Sequence, residues 1–77
     1  MKTNEKNTYN GKTLEQIASN LPSNMIQLHK DMYLNNCKRV IECQVSGYNL
    51  NEIEIIKNAN FILLNMYYIA LTNNTTL

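Results

Sequence analysis

Seventy-seven residues with a net charge of +1 make room for one small domain and supply no electrostatic reason to seek a polyanionic partner. Residues 1–12 carry Lys2, Lys6 and Lys12 against Glu5, so the remainder has Lys30, Lys38, Arg39 and Lys57 against Glu15, Asp31, Glu42, Glu52 and Glu54. That slightly acidic remainder lacks the basic footprint of a DNA-binding surface. Forty-four per cent hydrophobic residues argue against wholesale disorder, and two glycines with one proline favour long uninterrupted elements.

In chain order, residues 1–10 are polar and aperiodic, and Gly11 closes them. They read as a flexible tail over 1–12, followed by a single helical domain over 13–77. Thr13-Leu14-Glu15-Gln16 fits a capping box. Leu14, Ile17, Ala18 and Leu21 then share one face of a short helix that Pro22 ends. Ser23 is positioned to cap a second helix from about Asn24 to Ser46, with Ile26, Tyr33, Cys37, Val40, Ile41 and Gln44 on its inner stripe. Gly47 is its natural stop. Asn49 then caps a third helix reaching about Thr72, with Glu52 completing a second box-like pattern. The expected fold is all-α: an antiparallel helical hairpin of two long helices with a short N-terminal helix.

The third helix carries the most information. Ile55, Ala59, Ile62, Met66 and Ile69 form a strict i, i+4, i+7 row, and Ile56, Leu63, Tyr67 and Ala70 widen it to roughly 200° of circumference. One neighbouring helix covers about half of that. The spacing assigns Ile55, Ile62, Met66 and Ile69 to the hairpin seam. It leaves Phe61, Leu64, Tyr67 and Tyr68 as the residues that bind a partner, either another protein or a second copy of this chain.

Catalytic chemistry has little to work with. His29 is the one histidine, and Asp31 two residues on faces elsewhere on a helix. Cys37 and Cys43, six apart, point about 240° from each other and lack metal-site spacing. They read as reduced structural thiols. No phosphate loop or nucleophile–base set is present. The expectation is a non-enzyme with no cofactor, no metal and no small-molecule substrate. The N-terminus shows no secretory h-region and Phe61 to Leu71 is too short to span a bilayer, which points to a cytoplasmic protein without membrane contact.

Three local patterns resemble known families. Leu14-Glu15-Gln16-Ile17-Ala18-Ser19-Asn20-Leu21 is similar to the opening helix of a helix-turn-helix. Asn24, Gln27 and Lys30 would then be the base-contacting residues, with little basic support. Gly47 and Leu63-Leu64-Asn65-Met66-Tyr67 resemble the second helix of small helical-hairpin aspartyl-phosphate phosphatases. That family's signature would fall on Lys57-Asn58-Ala59-Asn60-Phe61, where nothing matches, so phosphatase activity is not carried over. Leu14-Glu15 and the stretch Glu54 to Tyr68 resemble small co-chaperones of the type III secretion needle protein, sharing Glu54, Ile56, Ala59, Ile62, Tyr67 and Tyr68. The segment between Pro22 and Gly47 is shorter than in that family. The resemblance implies a non-catalytic protein-binding module, a cytoplasmic co-chaperone for a secretion-system component. The alternative is a small phage- or plasmid-type regulator that binds DNA or inhibits a host protein.

Overall fold

The computed structural model describes residues 7–47 and 49–75, with side chains as far as residue 72. Three helices account for most of them: α1 (Leu14–Asn20), α2 (Gln27–Ser46) and α3 (Leu50–Thr75).

The start of α1 follows from its box. The Gln16 backbone N–H donates to Thr13 Oγ1 at 3.2 Å, and the Thr13 N–H donates to Gln16 Oε1 at 2.9 Å. Its end follows from Pro22, which forces Leu21 into an extended conformation. Residues 22–25 then turn, with the Met25 N–H donating to the Pro22 carbonyl at 3.1 Å. This turn buries Met25 and delays α2 to Gln27, three residues beyond the expected start. Ser23 is therefore not the cap. Ile26 holds that position without a side-chain hydrogen bond, and the Ser23 carbonyl accepts instead from Lys30 Nζ at 3.0 Å.

Gly47 ends α2 in the left-handed region, φ 75°, with its N–H on the Cys43 carbonyl. Asn49 caps α3: its Oδ1 accepts from the Asn51 N–H at 2.7 Å. Glu52 does not close a second box; its carboxylate lies 3.4 Å from Arg39 Nη2. Both side chains are well exposed, so that pair contributes little stability. The helix runs to Thr75, three residues past the expected end. Thr76 and Leu77 lie outside the described residues.

α2 packs against α3 with their residue orders reversed: Arg39 meets Glu52, Asn36 meets Asn60, and Asn24 just ahead of α2 meets Tyr67. α1 packs on α2. The core contains Ile17, Cys37, Val40, Cys43 and Ile53, with Leu14, Tyr33, Leu34, Ile41 and Ile56 partly buried around it. The inner stripe expected on α2 is the observed one except at Ile26, which is 62% exposed, and at Cys43, which joins the core at 3% although it lies off the expected stripe.

Two corrections concern placement. The first is the segment 7–12, which is packed rather than a free tail. Tyr9 and Lys12 exchange backbone hydrogen bonds of 2.8 and 3.1 Å. Asn10 and Gly11 between them have φ of 51° and 83°, the paired positive angles of a tight primed turn. That turn drives Tyr9 into the core at 5% exposure, while the Thr8 carbonyl accepts from Gln44 Nε2 at 2.9 Å. The tail expected over residues 1–6 lies outside the described residues.

The second correction is the face of α3. The inward row is Ile53, Ile56, Asn60, Leu63 and Tyr67, spaced three, four, three, four. Ile53, Asn60 and Leu63 are buried. Ile55, Ile62, Met66 and Ile69, expected at the seam, are between 47% and 68% exposed. Asn60 explains the inversion. Its Oδ1 accepts from Asn36 Nδ2 at 3.0 Å. Its Nδ2 lies 3.3 to 3.4 Å from the Tyr33 carbonyl, Cys37 Sγ and Tyr9 Oη. An amide satisfied on both ends can be buried at small cost, and a single polar residue in such a row fixes the register of the two helices.

Candidate interaction surfaces

The four residues expected to bind a partner divide between two places. Phe61 and Tyr68 are seven apart on α3, hence on one face, and are 63% and 55% exposed. Leu64 sits inward of them, half-buried. Leu64 and Tyr68 form one wall of a cleft of about 270 Å³ that Tyr9, Tyr33, Ile17, Leu21 and Pro22 also line, with the polar Asn10, Lys12 and Asn20 at its edge. Its floor is aromatic: the Tyr9 and Tyr33 rings meet edge to face at 6.4 Å. Lys57 Nζ stands 5.8 Å above the Tyr9 ring, a cation–π contact that lets its stem cover apolar surface.

Tyr67 belongs elsewhere. It is half-buried, its hydroxyl donates to Asn24 Oδ1, and its ring meets Tyr68 edge to face at 5.3 Å. It lines a second cleft of about 390 Å³ with Met25, Ile26, His29, Met66 and Leu71. Its role is to tie the end of α3 to the turn before α2. The surface facing outward is therefore Phe61, Leu64 and Tyr68 with the cleft beside them.

Tyr9 and Tyr33 were missed as contributors to this cleft. The Asn10-Gly11 dipeptide was the available signal, because Asn-Gly marks a tight turn that can fold the preceding residue back.

Burial holds the Cys37 thiol and the Tyr9 and Tyr33 hydroxyls neutral. Burial pushes the Cys37 thiol from 9.0 up to about 11, against a smaller opposing pull from the Asn60 amide. Burial, reinforced by Tyr9, Cys37 and Tyr68 nearby, pushes Tyr33 from 10.0 up to about 12. Tyr9 is raised too, chiefly by burial. Cys37 is thus a thiol and not a thiolate at neutral pH. These shifts set an alkaline limit on the fold. A group whose pKa is higher folded than unfolded holds its proton longer in the native state, so the unfolded state gains relative stability as protons leave. The contribution is complete below pH 9 and disappears as pH rises through about 11 for Cys37 and about 12 for Tyr33. Denaturant midpoints are expected to be flat from pH 7 to 9 and to fall steadily above that. Cys37→Ala should flatten the first part of the fall. A midpoint constant to pH 12 would contradict the burial of both groups.

Among the described residues no three His, Cys, Asp or Glu side chains gather as a metal site, and Cys37 and Cys43 are both free and buried. No described helix is long and apolar enough to cross a membrane. No known protein family, curated protein or solved structure matches this chain.

Proposed function

We propose that this protein is a non-catalytic binding module: an antiparallel hairpin of two long helices that holds part of another protein against Phe61, Leu64 and Tyr68. The observation that carries this reading is the placement of Tyr68, 55% exposed, on the wall of a cleft floored by Tyr9 and Tyr33, with Phe61, 63% exposed, two turns before it on the same face of α3. Exposed aromatic rings beside a cleft are the usual anchors of protein interfaces, since they bury much area with few rotatable bonds. The partner best suited is an apolar segment that inserts one side chain into the cleft. A co-chaperone that shields a helical secretion-system subunit is the specific form this role takes if the resemblance in α3 reflects descent. A mobile-element regulator that inhibits a host protein would use the same surface.

The test is to capture the partner by photo-crosslinking from Asn20, an exposed residue lining the cleft, purify it, and measure binding by calorimetry. Phe61→Ala and Tyr68→Ala are each expected to weaken binding by about 1–3 kcal/mol. Their melting temperatures should change little, because an exposed ring leaves no cavity. Unchanged affinity in both variants would overturn the assignment.

A further inference from the structure

The apolar row on the other side of α3 is uncovered after all described residues are in place. Ile55, Ile62, Met66 and Ile69 are 68%, 55%, 47% and 59% exposed, with the exposed Ala59 between them. We propose that this row is the contact between two copies of this chain, which pair helix to helix along α3.

The spacing argues for a helix as occupant. Intervals of four, three, four and three average 3.5 residues, the repeat that keeps a seam facing a neighbouring helix. The row extends roughly 21 Å along the axis at 1.5 Å per residue. It lies about 120° around α3 from Phe61 and Tyr68 at 100° per residue, so it is a separate surface from the one described above.

Charge argues for a second copy as that helix. Unlike helices select one another through charged residues flanking the seam, and like charges there keep identical helices apart. Here the flanking positions on one side are Asn58, Asn65 and Thr72, and on the other Ile56, Leu63 and Ala70. From residue 58 to residue 75 there is no Asp, Glu, Lys or Arg at all. Over Ala59 to Ile69 nothing repels an identical copy and nothing reads the charges of a different one; Glu54, exposed beside Ile55, is the charge at the N-terminal end of the row. The same absence removes the basic flank that draws an amphipathic helix to an anionic bilayer.

Area is sufficient. Each of the four large side chains offers on the order of 100 Å². Two copies therefore remove about 800 Å² through these alone, and Ala59 with the flanking Asn58, Asn65 and Thr72 brings the contact toward the ~1,200 Å² of a stable pair.

Light scattering of the full chain in the tens of micromolar tests this directly. The expected mass is twice 8.9 kDa. Ile62→Asp and Met66→Asp should each reduce it to one chain while keeping helical circular dichroism, since both side chains are exposed. Phe61→Ala should leave the pair intact. If either Asp variant loses its helices, the wild-type melt decides: a melting temperature that climbs with protein concentration supports pairing, and one that does not overturns it. A wild-type mass of one chain, or a pair that survives both Asp substitutions, overturns it as well. Because Phe61 and Tyr68 stand apart from the row, the partner-binding assay and the mass measurement can fail independently.

Discussion

Tyr9→Ala is expected to cost roughly 3–5 kcal/mol, the range for removing a buried large aromatic ring. Four contacts are lost together. The ring is 5% exposed and closes the core beside Cys37 and Val40. It meets Tyr33 edge to face and carries Lys57 Nζ 5.8 Å from its centroid. Its hydroxyl is one of three acceptors within reach of Asn60 Nδ2. For a chain of this size each kcal/mol moves the melting temperature by about 4–8 °C, so the melt should fall by about 12–40 °C. Tyr9→Phe separates ring from hydroxyl. It should cost under about 1 kcal/mol, because Asn60 Nδ2 keeps the Tyr33 carbonyl and Cys37 Sγ as acceptors. If Tyr9→Ala melts within a degree or two of wild type, segment 7–12 is not part of the fold.

Neighbouring residues on α3 should behave in opposite ways. Leu63 is 6% exposed and Ile62 is 55% exposed. Leu63→Ala is expected to cost about 2–5 kcal/mol through lost burial and the cavity left against α2. Ile62→Ala, measured in dilute solution where chains are separate, should stay within about 0.5 kcal/mol. Paired denaturant titrations read the difference. A larger loss at Ile62 than at Leu63 would rotate α3 and restore the seam that the apolar spacing alone suggests.

That spacing shows where sequence reasoning reached and where it stopped. The residues themselves determined three helices and most of their ends, because caps and stops are local chemistry. Thr13 and Gln16 bond across one turn, Pro22 excludes helix at Leu21, Gly47 accepts a positive φ, and Asn49 reaches an N–H two residues on. The inner stripe of α2 was legible too, since one side of that helix is polar. On α3 two rows share the heptad interval, and apolar content favoured the wrong one. Tertiary structure chose the row containing Asn60 because Asn36, Tyr33, Cys37 and Tyr9 converge to satisfy its amide. Those partners are 23 to 51 residues away in the chain, beyond any local pattern. The same long-range packing decided the candidate surface. Exposure of Phe61 and Tyr68 followed from their position at the edge of the polar strip of Glu54, Lys57, Asn58 and Asn65, whereas the cleft that Tyr68 lines exists because Tyr9 folds back across residues far from it in sequence. Local hydrogen bonding sets where helices begin and end; which of two apolar faces is buried depends on what arrives to cover it.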